Sequence, residues 1–163
     1  IYVVGNCLNG VFNDSTLLMS NHKEYFRLPR RTKDEFRLIL ISHLYPHKNI
    51  RVIKKLIPLL SNLNIKFFIT IAHKDFEKIF GNYSENIINL GPVPLKSCPS
   101  IYKQCDALFM PSLLEVYSAS YLEAMKMSKP ILSSNLSFAK DVCGDAALCF
   151  DPLDEKDISN KIT

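Results

Sequence analysis

The chain has 163 residues, the length of one ordinary domain, which buries enough surface on folding to need no disulfide or metal staple. Hydrophobic residues make up 47% and charged residues 22%, with a net charge of +4, and no apolar run approaches the roughly 20 residues of a membrane helix. Five cysteines without a C-x-x-C pair and four histidines without zinc spacing argue against a disulfide framework and a metal site, and favour a reducing, cytoplasmic compartment.

The opening stretch IYVVGNCLNG has neither a basic n-region nor a small-residue cleavage site, and it starts at Ile, so it reads as an excised piece rather than a targeting signal. Residues 19–35 are polar and weakly periodic. They predict a connector, so residues 1–36 are assigned to linker and connector and 37–163 to the folded domain. Residues 23–55 are basic, opposed only by Glu24, Asp34 and Glu35, while the tail from Asp141 is acidic. Such a stretch suits a phosphorylated ligand, an anionic membrane surface or a solvated face. Nucleic acid fits poorly, because the basic residues are not interleaved with aromatics and no recognition-helix or RNP-type pattern is present.

Residues 37–43 (RLILISH) form a short apolar run bounded by charge, as expected of a strand buried on both faces of a parallel sheet. The pattern recurs at 66–72, 87–90, 107–110, 130–133 and 147–150. Between these runs, helical patterns occupy 49–62, 75–80, 95–104 and roughly 118–128. The alternation predicts an α/β fold with a doubly wound, Rossmann-like parallel sheet. Ligands then bind at the carboxyl ends of the strands, in the loops after His43, Ala72, Leu90, Met110 and Ser133.

Three segments are candidates for chemistry. In residues 42–49 (SHLYPHKN) a strand passes into a helix, whose free N–H groups and dipole, with Lys48, make a phosphate site; equally, Pro46 and Asn49 can simply punctuate a turn. It is not a P-loop, for the glycines are absent. In residues 111–125 (PSLLEVYSASYLEAM) Glu115 lies in a loop and Glu123 one turn inside the next helix, so both carboxylates can face one cleft and accept bonds from sugar or ribose hydroxyls. The alternative is a capping box, Ser120-x-x-Glu123, in which Glu123 serves its own helix. Residues 89–94 (NLGPVP) form a strand end and tight turn, able to cradle a base edge or only to turn.

In this order the segments resemble the C-terminal domain of the retaining glycosyltransferases with the GT-B fold, the glycosyl transferases group 1. Residues 3–12 look like the family's interdomain linker, 42–48 like its strand, turn and phosphate-binding lysine, and 89–94 followed by 102–112 like its base-binding turn and the strand entering the acidic motif. Glu115 and Glu123 match E-x7-E, Leu122-Glu123-Ala124-Met125 is its usual ending, and 144–152 is similar to the closing turn and strand.

The resemblance implies a retaining, metal-independent hexosyl-type transferase whose donor is a nucleotide-diphosphate sugar, with no other cofactor. Its acceptor would be a glycan or lipid-linked molecule of cell-surface polysaccharide assembly, held by an N-terminal domain absent from this chain, without which the piece should bind donor but turn over poorly. By the same resemblance Lys48 holds the diphosphate, Glu115 lies near the sugar or phosphates, and these two form the catalytic pair. Glu123 bonds the ribose, backbone at Val93 and Pro94 meets the base, and Val116, Tyr117 and Ser118 offer amides. Two positions depart from the family pattern. His43 stands where arginine is usual and carries less charge at neutral pH, and Val116-Tyr117-Ser118 replaces glycine-aromatic-glycine, leaving those amides less open to a ligand. The setting implied is cytoplasmic, with Arg27, Arg30, Arg31 and Lys33 as a peripheral membrane contact. Alternatives are a nucleotide-sugar epimerase of the same architecture and a non-catalytic nucleotide-binding module.

Overall fold

A computed structural model describes residues 7–14, 26–81 and 85–163. Each of the six apolar runs becomes a strand: β1 (Phe36–Leu40), β2 (Ile65–Ile69), β3 (Ile87–Asn89), β4 (Ala107–Met110), β5 (Ile131–Ser134) and β6 (Ala147–Phe150). They form one parallel sheet in the order β3-β2-β1-β4-β5-β6, with Leu38 opposite both Phe67 and Ala107. The chain winds outward from β1 to β3, then returns to lay β4 on the other side of β1. The adjacent carboxyl ends of β1 and β4 are therefore the topological switch point, where open α/β sheets bind ligands.

Side chains alternate across a strand, and here both faces are covered, which is why the strand sequences read as unbroken apolar runs. Leu38, Leu40, Phe67, Ile69 and Phe109 face one layer, packed with Ile53 and Leu56 of α1 (Val52–Leu59) and Ile158 of α6 (Glu155–Ile162). Ile39, Phe68, Leu108 and Met110 face the other. They meet Ile101 and Tyr102 of α3 (Cys98–Gln104), Tyr121 and Ala124 of α4 (Ala119–Lys126) and Ala139 of α5 (Ser137–Cys143). The remaining helix, α2 (His73–Ile79), joins β2 to β3.

The first strand ends at Leu40, short of the expected His43, and the second at Ile69, short of Ala72. The next helix begins at Val52 instead of residue 49. Pro46–Lys48 makes a 3-10 turn, and Asn49 then takes a left-handed conformation, φ 51, that no α-helix tolerates. Residues 26–35 pack against the domain. The Leu28 amide donates to Gln104 Oε1, Arg31 grips Asp106, and Arg37 is buried against Glu35 with its guanidinium over the Phe68 ring. Phe12 is fully buried against Tyr102. Of the expected linker and connector, residues 1–6 and 15–25 lie outside the described residues.

Candidate functional site

The loops leaving β1 and β4 meet above the switch point. The Leu113 amide donates to the His47 carbonyl at 2.7 Å, stitching the two loops together. Beside that bond Lys48 Nζ reaches Glu115 Oε1 at 2.5 Å, with only 17% and 8% of the two side chains exposed. Asn49 fixes the turn from the other side by donating Nδ2 to the Pro152 carbonyl at 2.9 Å. Sequence separation hides all three contacts, which the parallel crossover creates.

A cleft of about 260 Å³ opens over the ends of β1, β2 and β3, lined by Ser42, His43, Thr70, Pro92, Val93 and Cys98, among others. Thr70 shapes its floor by accepting from the Ser42 amide at 3.0 Å. Gly91 holds a φ of +69, which favours glycine, and a Cβ at that position would lie 2.6 Å from Nε2 of the exposed His73 ring, which would have to turn aside. At the end of β3 the Asn89 carboxamide oxygen accepts the Gly91 amide, while its nitrogen is buried without a hydrogen-bond partner among the described residues.

Glu123 lies on α4, 7% exposed, and its Oε2 accepts from the Tyr102 hydroxyl at 3.1 Å. Burial lifts its carboxyl above the ordinary value, with the Tyr102 bond pulling in the opposite direction. Burial, then the neighbouring Glu123 charge, pushes the Cys98 thiol up to about 12, and Cys98 is itself a wall of the cleft. The second carboxylate of the acidic motif therefore stands beside the cleft.

Two expectations are corrected. Lys48 does not open an α-helix: it ends the 3-10 turn, and the amides at the start of α1 (Val52, Ile53 and Lys54) are occupied by the carbonyls of Asn49, Ile50 and Arg51. No capping box forms either, because the N-cap of α4 is Ser118, which leaves Ser120 inside the helix and turns the Glu123 carboxylate to Tyr102.

The structure brings Lys48 to Glu115, and sets His43 and Val93 on the cleft wall. Ser118 is buried, Tyr117 is half-buried, and Val116 is 100% exposed on the loop. Pro94 is exposed, its carbonyl already accepting from the Ser97 amide at 2.8 Å. Of the basic residues considered for membrane contact, Arg31 is committed to Asp106 and to the Gln104 carbonyl, leaving Arg27, Arg30 and Lys33 exposed. Among the described residues no helix is long and apolar enough to cross a membrane, and no group of three His, Cys, Asp or Glu is placed to hold a metal. Thr70, Cys98 and Tyr102 are the site residues to which sequence reading gave no role.

The sequence matches the family glycosyl transferases group 1 over residues 21–163. It is 37% identical over 73 residues to the O-antigen chain mannosyltransferase B of Escherichia coli, a stretch that covers 45% of this chain and 19% of that protein. The fold is similar to that of an S. aureus TarM mutant in complex with fondaparinux, alpha-GlcNAc-glycerol and UDP (TM-score 0.69, 19% identity, 85% of this chain and 30% of that one). It is also similar to WaaG, a glycosyltransferase involved in lipopolysaccharide biosynthesis (TM-score 0.65, 15% identity, 80% of this chain and 38% of that one). The chain thus spans well under half the length of these relatives.

Proposed function

The chain belongs to the glycosyl transferases group 1 family, with the fold of the C-terminal half of a GT-B enzyme, and on that premise we propose that it binds a nucleotide-diphosphate sugar for transfer of a hexose to a glycan or lipid-linked acceptor. Cell-surface polysaccharide assembly is the setting that the mannosyltransferase relative and WaaG favour. The observation that carries the reading is the Lys48–Glu115 pair: a cation fixed at the switch point, in contact with an anion that a diphosphate can replace.

As the bond between sugar and phosphate breaks, negative charge collects on the leaving diphosphate. Lys48 stabilises that charge more than the ground state, and the start of α4, with the amides of Val116, Tyr117 and Ser118, adds the positive end of a helix dipole. Lys48 must first exchange Glu115 for phosphate, and the released carboxylate then faces the donor sugar or its phosphates. Glu123 accepts from the ribose hydroxyls, backbone at Val93 and Pro94 borders the base, and His43 lines the donor cleft. Lys48 is the cation of this scheme, and the acceptor is supplied by the partner half of the enzyme.

Calorimetric titration with UDP, GDP, ADP, CDP and TDP and their sugars tests the reading. Selective binding should weaken roughly tenfold to a hundredfold in Lys48→Ala and in Glu123→Ala, the loss of one charge-assisted contact each. Equal binding by folded wild type and both variants would refute it.

A further inference from the structure

We infer that Tyr102 is a positioning residue of the nucleotide site, holding one oxygen of the Glu123 carboxylate so that the other is presented to the ribose. The inference rests on the reading of Glu123 as the ribose acceptor and adds to it a residue from a different helix. Tyr102 is fully buried on α3, edge-on to Phe12, and its ring cannot swing away without opening the core. Its single O–H proton faces two acceptors, Glu123 Oε2 at 3.1 Å and the Ser120 carbonyl at 3.4 Å. The ionised and nearer carboxylate takes it, since a charged acceptor makes the stronger bond.

A carboxylate on a helix with no such partner would sample several rotamers and be free to turn back to its own backbone. Here the donor comes from a neighbouring helix and fixes both the rotamer and the oxygen that remains for a ligand. The same bond works against burial. Desolvation raises the Glu123 carboxyl, and the Tyr102 hydrogen bond lowers it, keeping more of the anion that a ribose diol recognises. Among the described residues, Tyr102 and Cys98, both on α3, face Glu123, and burial raises each of them well above the neutral range. Neither titrates near neutrality, so the pH dependence of ribose recognition belongs to Glu123.

The sign follows directly. Ribose recognition is present above the folded-state pKa of Glu123 and lost as pH falls through it. Removing the Tyr102 hydroxyl raises that pKa, so the loss begins at higher pH.

The test compares binding of the tightest ribonucleoside diphosphate among UDP, GDP, ADP and CDP with that of its 2′,3′-dideoxy counterpart, across pH 5 to 8. In wild type the ribose form should bind on the order of tenfold to a hundredfold more tightly. Tyr102→Phe should reduce that ratio severalfold, leave dideoxy binding unchanged and move the pH midpoint upward. Incorporation of 3-fluorotyrosine at position 102 keeps the shape and strengthens the donor, and should move the midpoint downward. An unchanged ratio and midpoint in Tyr102→Phe, while Glu123→Gln abolishes the ratio, would overturn the positioning role alone. Equal weakening of both nucleotides in Tyr102→Phe would assign the tyrosine to packing and overturn it too. If Glu123→Gln keeps the wild-type ratio, Glu123 is not the ribose acceptor, and both readings fall.

Discussion

Replacing Glu115 by Gln should make the chain bind a nucleoside diphosphate more tightly while abolishing transfer by the intact enzyme. Lys48 Nζ lies 2.5 Å from Glu115 Oε1, and the carboxylate side chain is only 8% exposed, so the cation is neutralised where a phosphate must bind. A hydrogen bond to a charged group contributes about 1.5–3 kcal/mol, and a ligand that must displace it loses part of that contribution. Glu115→Gln keeps shape and removes charge. Relief of about 1–2 kcal/mol corresponds to roughly a fivefold to thirtyfold fall in Kd. The variant should also melt earlier, because Lys48, itself only 17% exposed, loses its charged partner, and each kcal/mol lost lowers Tm by about 2–4 °C in a domain of this size. Calorimetry of the diphosphate with wild type, Glu115→Gln and Lys48→Ala gives the assay. If Glu115→Gln binds more weakly than wild type, Glu115 contacts the ligand instead of competing with it, and the exchange step is wrong.

Glu123→Gln should raise Tm at neutral pH. Burial lifts the folded-state pKa above the ordinary 4.5, so the folded chain binds that proton more tightly than the unfolded one and loses stability as pH rises from about 4.5 through the folded value. The gain in the variant should shrink toward pH 4.5 in thermal melts, and a lower Tm at pH 7 would contradict the sign. Gly91→Ala should cost about 1–2 kcal/mol from the left-handed backbone, with a further steric loss that His73→Ala relieves in the double variant; additive single effects in denaturant melts would count against that contact. Phe12→Ala, which empties a fully buried site against Tyr102, should cost roughly 3–5 kcal/mol by chemical denaturation, and a loss under 1 kcal/mol would mean residues 7–14 are not part of the core.

All six strands were visible as apolar runs, because a parallel sheet covered on both faces removes the polar alternation that would otherwise blur them. Their ends were less visible. Ile41, Ser42, Ile71 and Ala72 continue the apolar or small character of β1 and β2 but belong to loops, since pairing with the neighbouring strand stops at Leu40 and Ile69. α5 and α6 went unread. In α6 the apolar residues of the buried face are Ile158 and Ile162, beside the buried Ser159, and the signal that marks it is its cap, where the Asp154 carboxylate accepts from the Lys156 and Asp157 amides. At the site, Lys48, Glu115 and Glu123 were named through the family resemblance, their spacing alone leaving a simple turn or a helix cap equally open. Tyr102 was not, because on an amphipathic helix a buried tyrosine reads as core, and nothing in the sequence shows that its hydroxyl ends at a carboxylate 21 residues away.

The switch-point loops are expected to bind the nucleotide. The most direct test is a titration of the 15N-labelled chain with the selected nucleoside diphosphate, followed amide by amide. Shifts are expected at residues 42–48, at Gly91 and Val93 and at residues 112–118, all at the carboxyl edge of β1, β3 and β4. Saturable shifts confined elsewhere, such as the groove lined by Lys140, Gly144 and Cys149, or no shifts from a folded chain, would contradict binding at these loops.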